Sequence, residues 1–254
     1  MLPSDPTGAI MNRTKTSSEL KANAKEYLLG HYGKMILALF TANLIPVFIL
    51  FLADDFLAAN TTVNIILYYA VSLIVSLLTG ILSLGTSKLY MNFCTGREAQ
   101  TSDIFYGFTG HHQDVGILLA FVQIGIMFLS LLPFFAVSLI YLFVFPSAFL
   151  YPVMALTLIA GVVFGYTQIL SLSQCYYLAV DFPDYTVRQL LSMSRRIMKG
   201  QRARLFYIHV SFLPLVLLCV FTMGLGLLWL LPYISTTLTC FYLDLIDYHT
   251  KQYR

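Results

Sequence analysis

Between Val115 and Val180 the chain has no aspartate, glutamate, lysine or arginine. About 20 apolar residues cross a bilayer, so this run of 66 residues holds two spans and excludes a soluble protein with buried helices. Charge is scarce throughout, at 11% of residues against 58% hydrophobic, with a mean hydropathy of +0.77. That balance places the chain in a membrane. Cysteine is scarce too: Cys94, Cys175, Cys219 and Cys240 sit in or beside apolar runs, with no CxxC spacing and no histidine cluster nearby. This argues against a disulfide framework or zinc site and reads as membrane packing. The first ten residues lack a cationic segment before an apolar core, which excludes a signal peptide. Residues 1–12 read as a disordered leader, and Met1 and Met11 are both candidate starts.

Catalytic patterns are missing as well. There is no HExxH, no GxSxG and no pair of membrane aspartates. His209 and Ser211 are the only candidate nucleophilic couple, but residues two apart on a helix point in different directions. His111 and His112 are adjacent and lack further ligands. No catalytic residue, cofactor or metal is therefore expected, and the chain reads as non-enzymatic. No charged side chain occupies the centre of a span, which argues against an ion-coupled pump.

What is present is organised around Thr186–Pro232, where a basic amphipathic segment runs directly into two hydrophobic spans. Val187, Leu190, Leu191, Ile197 and Met198 fall on one side at helical spacing, with Arg188, Gln189, Arg195, Arg196 and Lys199 elsewhere. Thr186 and Gln189 make a capping box that starts the helix, and Gly200 can end it. Such a helix is expected in the interface, apolar face toward acyl chains and cations toward anionic headgroups. Thr16 and Glu19 make a second capping box before another surface helix, with Leu20, Ala24, Tyr27 and Leu28 on one face.

Residues 13–250 read as a single all-α, polytopic membrane domain, followed by a tail at 251–254. Six transmembrane helices are expected at about 35–52, 65–87, 115–144, 148–180, 205–222 and 227–243. The first carries Pro46, which predicts a kink, and the third carries Pro133. Tight turns are expected around Tyr151 and at Met223–Gly226, and the last two spans are near the lower length limit. The aromatic segment Ile104–Phe108 suits the headgroup zone.

The distribution of charge orients these spans. All fifteen lysines and arginines fall before span one, between spans two and three, between four and five, or after six. The opposite loops carry only Asp54 and Asp55. The positive-inside rule then puts both termini in the cytoplasm. Asp181, Asp244 and Asp247 lie at the cytoplasmic ends of spans, suited to solvation or to pairing with basic helices. A shift of 170 residues superposes Thr16 on Thr186, Glu19 on Gln189, Leu20 on Leu190, Lys25 on Arg195, Gly30 on Gly200 and Lys34 on Arg204. The middle unit, Thr101–Val180, keeps the same order with weaker residue matches. The plan is three repeated hairpins, each preceded by a cytoplasmic interfacial segment.

The C-terminal stretch from Ser194 to Asp244, with its serine–arginine pair, MKG, GLGLLWLLPY and terminal FY, resembles the bacterial integral-membrane family called "domain of unknown function 975". The opening SSELKANAKEYLLGHYGK is similar to that family's opening as well. The resemblance implies a multi-pass bacterial plasma-membrane protein and supplies no catalytic residues.

Two functions follow as expectations. The first is binding of anionic membrane lipid, a protein partner or both through the basic surface formed by Arg188, Arg195, Arg196, Lys199, Arg202 and Arg204, with no nucleic acid involved. The alternative is a transporter or channel for a neutral or lipid-like solute along a polar path at Asn43, Gln123 and Gln168. A vestibule bordered by those three favours the alternative; a solid apolar bundle favours the first. The Gly161–Gly165 pattern suits helix packing within the chain.

Overall fold

The computed structural model describes residues 14–56, 61–110, 112–143 and 150–252. The leader at 1–12, the far end of the turn before Tyr151 and the last two residues lie outside them. The described residues form helices and connections, with no strand among them. In chain order they are α1 (Ser17–Leu28), α2 (Tyr32–Phe56), α3 (Thr62–Cys94), a 3-10 helix (Thr101–Phe108), α4 (His112–Phe143), α5 (Leu150–Leu172), α6 (Cys175–Asp181), α7 (Val187–Ile197), α8 (Arg202–Phe221) and α9 (Leu227–Gln252). Six helical stretches, namely α2, α3, α4, α5 with α6, α8 and α9, are long and apolar enough to cross a membrane.

The helices outrun the apolar stretches. α3 has 33 residues, about 50 Å at 1.5 Å per residue, against a hydrocarbon core of about 30 Å. Its last turns, past Lys88, extend beyond the apolar stretch because a helix ends where its backbone is capped, not where hydropathy falls. α9 likewise continues past Leu243 to Gln252, while α8 has 20 residues. α2 and α4 run through Pro46 and Pro133. The expected fourth span departs from continuity: it breaks at Ser173–Gln174 between α5 and α6. The Ser173 hydroxyl donates to the Leu170 carbonyl at 2.9 Å, and Gln174 Nε2 donates to Ser173 Oγ at 2.7 Å. Side-chain bonds of this kind compete with the helical ladder.

Two close approaches set the register of the bundle. Gly85 of α3 lies against the Ile104 backbone, where an added Cβ would meet the carbonyl oxygen at 1.8 Å; Gly107 lies in the same way against Ile81. This seats the 3-10 helix on α3, burying Ile104 and leaving Phe105 and Phe108 exposed. Gly161 and Gly165 of α5 pack on Ser130 of α4, so the GxxxG pattern does join helices within the chain. Of the surface segments, α1 keeps the full capping box, with Thr16 N–H donating to Glu19 Oε2 at 2.6 Å and Glu19 N–H to Thr16 Oγ at 3.3 Å. Gly30, Gly110 and Gly200 all take positive φ, and each is followed five residues later by a buried side chain, Met35, Val115 and Leu205.

Burial is uneven along the bundle. In α3 it runs from Gly80 to Cys94, in α4 it concentrates at Val115–Ala120, and in α5 it concentrates at Leu170–Leu172. The halves of α2, α3 and α4 remote from the basic segments expose Phe51, Phe56, Val63, Ile66, Leu142 and Phe143. The packed core therefore lies at the basic end, and the far half presents apolar side chains outward.

Candidate functional site

Helix α7 sits at the basic end with its sides clearly divided. Leu190, Ser194, Ile197 and Met198 recur at three- and four-residue spacing and are buried. The Gln189 side-chain oxygen accepts from Thr186 N–H at 2.9 Å and from the Thr186 hydroxyl at 2.8 Å, which fixes the first turn. Gly200 takes φ +83° just past the last turn, a conformation that side chains with a Cβ rarely adopt.

The buried side faces protein, which corrects the expectation that it meets acyl chains. Ser194 Oγ donates to the Ser171 carbonyl at 2.9 Å, and His249 Nε2 of α9 lies 3.1 Å from the Ile197 carbonyl oxygen. The physical reason is that an apolar stripe states only that something covers it. Here the short α6 and the long α9 reach far enough past the membrane stretch to do so. α1 behaves likewise, with Leu20, Ala24 and Leu28 fully buried, mostly against α9.

With the apolar side occupied, the cations face outward. Arg188, Arg195, Arg196, Lys199 and Arg202 are exposed. Two grooves flank the helix. One, of about 1110 Å³, is lined by Val115, Leu118, Tyr185, Arg188, Asp114 and Asp184 among others. The other, of about 700 Å³, includes Phe182, Met193, Ile246 and Arg196. The second combines apolar walls with one arginine, whereas the first sets two aspartates beside its arginine.

Arg204 does not join this surface. Its guanidinium pairs with Asp244 at 2.5 Å and donates to the Lys15 carbonyl, and it lies 5.0 Å from the Phe241 ring centroid. The Arg204 and Asp244 side chains are 16% and 8% exposed, and both Asp244 oxygens accept from Lys15 N–H. Arg204 thus ties α8, α9 and the approach to α1 together. The sign in the sequence was an aspartate near the end of an otherwise apolar span. Asp247 pairs with Lys251, and Asp181 accepts from Tyr242 Oη. Lys21 of α1 reaches the Ser211 carbonyl at 3.0 Å and lies over the Phe212 ring; burial and, less, neighbouring Lys25 lower its pKa.

The candidate nucleophilic couple is split between separate backbone partners. His209 Nδ1 lies 2.9 Å from the Leu205 carbonyl oxygen, and Ser211 Oγ donates to Ile208 at 2.6 Å. His112 stacks at 4.3 Å on Tyr106, while His111 is outside the described residues. Cys94, Cys175, Cys219 and Cys240 are buried and free.

The three residues of the candidate polar path separate. Asn43 lines a cavity of about 380 Å³ bounded by α2, α3, the α5–α6 junction and α9. Gln123 stands behind it, accepting from Tyr176 Oη at 3.4 Å. Gln168 is not among the lining residues. Sequence reasoning missed Ser83, Thr86 and Tyr90, which line this cavity on α3 together with Thr79. Their recurrence at three- and four-residue spacing was the available signal.

The family model described as "Protein of unknown function (DUF975)" matches residues 11–248, nearly the whole chain, and the chain belongs to that family. No curated protein and no solved structure matches it.

Proposed function

We propose that this DUF975 protein is a non-enzymatic, multi-pass protein of the bacterial plasma membrane that holds anionic phospholipid headgroups on the outward face of α7. The reading rests on one observation: α7 spends its apolar side on the protein and leaves Arg188, Arg195, Arg196, Lys199 and Arg202 exposed beside the membrane-spanning helices. A cation near an anionic leaflet contributes about 1 kcal/mol, so partial engagement of five gives several kcal/mol, weakened by salt. The groove beside Arg196, which has no acidic residue in its lining, suits a phosphate there with acyl chains along the apolar walls.

Both termini are cytoplasmic in this reading, which the one-sided placement of lysine and arginine supports. It also takes the chain as three repeats of surface segment and hairpin. Supporting that are the matching positive-φ glycines and the buried residues five positions after them in all three units.

The test replaces Arg195, Arg196 and Lys199 by glutamine, which leaves Arg204 in its ion pair. Native mass spectrometry from mild detergent is expected to show fewer retained anionic lipids than the unaltered protein. Equal retention by a correctly inserted variant overturns the proposal.

A further inference from the structure

The cavity beside Asn43 stands on residues separate from the basic face, and its chemistry is unusual for the inside of a membrane bundle. Thr79, Ser83 and Thr86 each donate their hydroxyl hydrogen to a carbonyl one turn back, all at 2.8 Å. Their oxygen lone pairs are what remain for a guest. Asn43 does the same, with Nδ2 donating to the Leu39 carbonyl at 2.8 Å and Oδ1 left as an acceptor. A complementary donor is also present: Tyr90 is 1% exposed, and its hydroxyl has no hydrogen-bond partner among the described residues. The hydroxyl of Ser235, another lining residue, is nearby but outside hydrogen-bond geometry. An unpaired buried hydroxyl costs about 1–3 kcal/mol, a cost that a guest accepting its proton removes.

The wall of the cavity is broken where it meets the fourth span. Ser173, at the α5–α6 break, lines it, and the neighbouring Gln174 has a buried Oε1 without a partner. Non-helical backbone at membrane depth is tolerated where it is enclosed by protein or lines a hydrated cavity. Interrupted helices of this kind build solute sites in membrane proteins. Access is one-sided. Asn43 and Thr79 are exposed, while Ser87 and Tyr90 are buried. Asn43 and Thr79 are also the lining residues of α2 and α3 farthest from the basic end. The exposed rim therefore lies about midway along α2 and α3, and the cavity is floored by the packed core. Among the described residues no aspartate, glutamate, lysine, arginine or histidine lines it, and its volume falls in the range of small-molecule pockets, about 300–1,000 Å³.

We propose that this cavity is a binding site for a small uncharged molecule carrying several hydroxyl or amide groups, entered past Asn43 and Thr79. Acceptors on α2 and α3 hold its protons and Tyr90 Oη donates to it. With no lysine, arginine or histidine in the described lining, nothing there repays the desolvation of an anion, so anions are selected against.

The protein reconstituted in nanodiscs tests this. Its four native cysteines are buried and supply the background. Ser83→Cys is expected to react with neutral 2-hydroxyethyl methanethiosulfonate about tenfold faster than Leu218→Cys on the outward face of α8, because thiolate forms in water and not in hydrocarbon. Glycerol, myo-inositol or urea should slow that reaction saturably. Tyr90→Phe, which removes one oxygen, should raise the half-protecting concentration about 3–10-fold, the worth of one hydrogen bond. Thr86→Cys replaces Ser83→Cys if the latter does not yield monodisperse protein. Reaction no faster than at Leu218 means a dry void and overturns the proposal. Fast reaction without protection by any of the three solutes means water alone, and overturns it too. Equal rates with the anionic sulfonatoethyl reagent overturn the selection against anions.

Discussion

Arg204 and Arg195 lie nine positions apart in the same basic segment, yet the structure gives them opposite roles, and substitution separates them. Arg204→Gln removes a guanidinium that is 16% exposed and strands an Asp244 carboxylate that is 8% exposed. Breaking a buried pair from one side costs about 3–5 kcal/mol, because the remaining charge is left desolvated. Here Lys15 N–H still donates to Asp244, which partly compensates, so a value near 3 kcal/mol is expected. Asp244→Asn should cost a similar amount. The double variant should cost less than the sum, with a coupling above about 1 kcal/mol, because it leaves no unpaired charge. Arg195→Gln, on the exposed face, should stay within about 0.5 kcal/mol. Reversible unfolding in mixed micelles, followed by circular dichroism, measures all four. If Arg204→Gln proves as mild as Arg195→Gln, or if the two pair substitutions simply add, the assignment of Arg204 as an inter-helix tie is wrong.

Gly85→Ala should destabilise strongly in the same assay, by about 3 kcal/mol or more, because the new methyl meets the Ile104 backbone oxygen and not a flexible side chain. Gly30→Ala, at φ +79° but in open space, should cost only about 1 kcal/mol, and a larger loss would mean the site is packed after all. Lys21 has a folded-state pKa below 10.5 through burial and Lys25, so the unfolded chain binds more protons between the two values and stability should rise with pH across that window. Lys21→Met should flatten the rise, and a slope that persists would place its origin elsewhere. For orientation, Asn60→Cys should label from outside intact cells while Gln201→Cys does not; labelling of both would overturn the six-span topology.

The parts of this fold that follow from local chemistry were open to reading from the residues. The capping residues Thr16 and Thr186, the glycine stops at Gly30 and Gly200, and the apolar stretches each depend on neighbours within one or two turns. What covers a face is a long-range fact. Leu190, Ile197 and Met198 announce an apolar stripe whether lipid or protein lies beneath, and it is decided by the end of α5, by α6 and by the extension of α9 to Gln252 together. Asp244 was open to pairing with a basic helix, but which cation it takes was not legible for the same reason, since Arg204 is 40 residues away. The hydroxyl cavity was the hardest to see: threonine and serine satisfy themselves on their own helix, so single spans containing them look like ordinary membrane segments.

That self-satisfaction also explains how the cavity and the basic face coexist in one small bundle. A helix carrying Thr79, Ser83 and Thr86 can enter the membrane at little cost because each hydroxyl hydrogen is already bonded, and the acceptors matter only once α2, α5 and α9 close around them. Closing that pocket requires a rigid floor, and the floor is where burial is greatest, at Tyr90, Leu172, Cys175 and Tyr242. The same region receives α1, the 3-10 helix and α7, whose buried sides add packing that the short apolar spans alone lack. The surface segments therefore do two jobs through opposite faces: inward they fix the floor of the cavity, and outward, on α7, they present the cations. A substitution on the outward face should leave the cavity intact, whereas one on the inward face, such as Leu190→Ala, should loosen the floor. It should cost about 2–5 kcal/mol and raise reactivity at Cys175, which bonds to the Leu190 carbonyl. Unchanged Cys175 reactivity in a destabilised Leu190→Ala protein would show that floor and surface helix are not coupled.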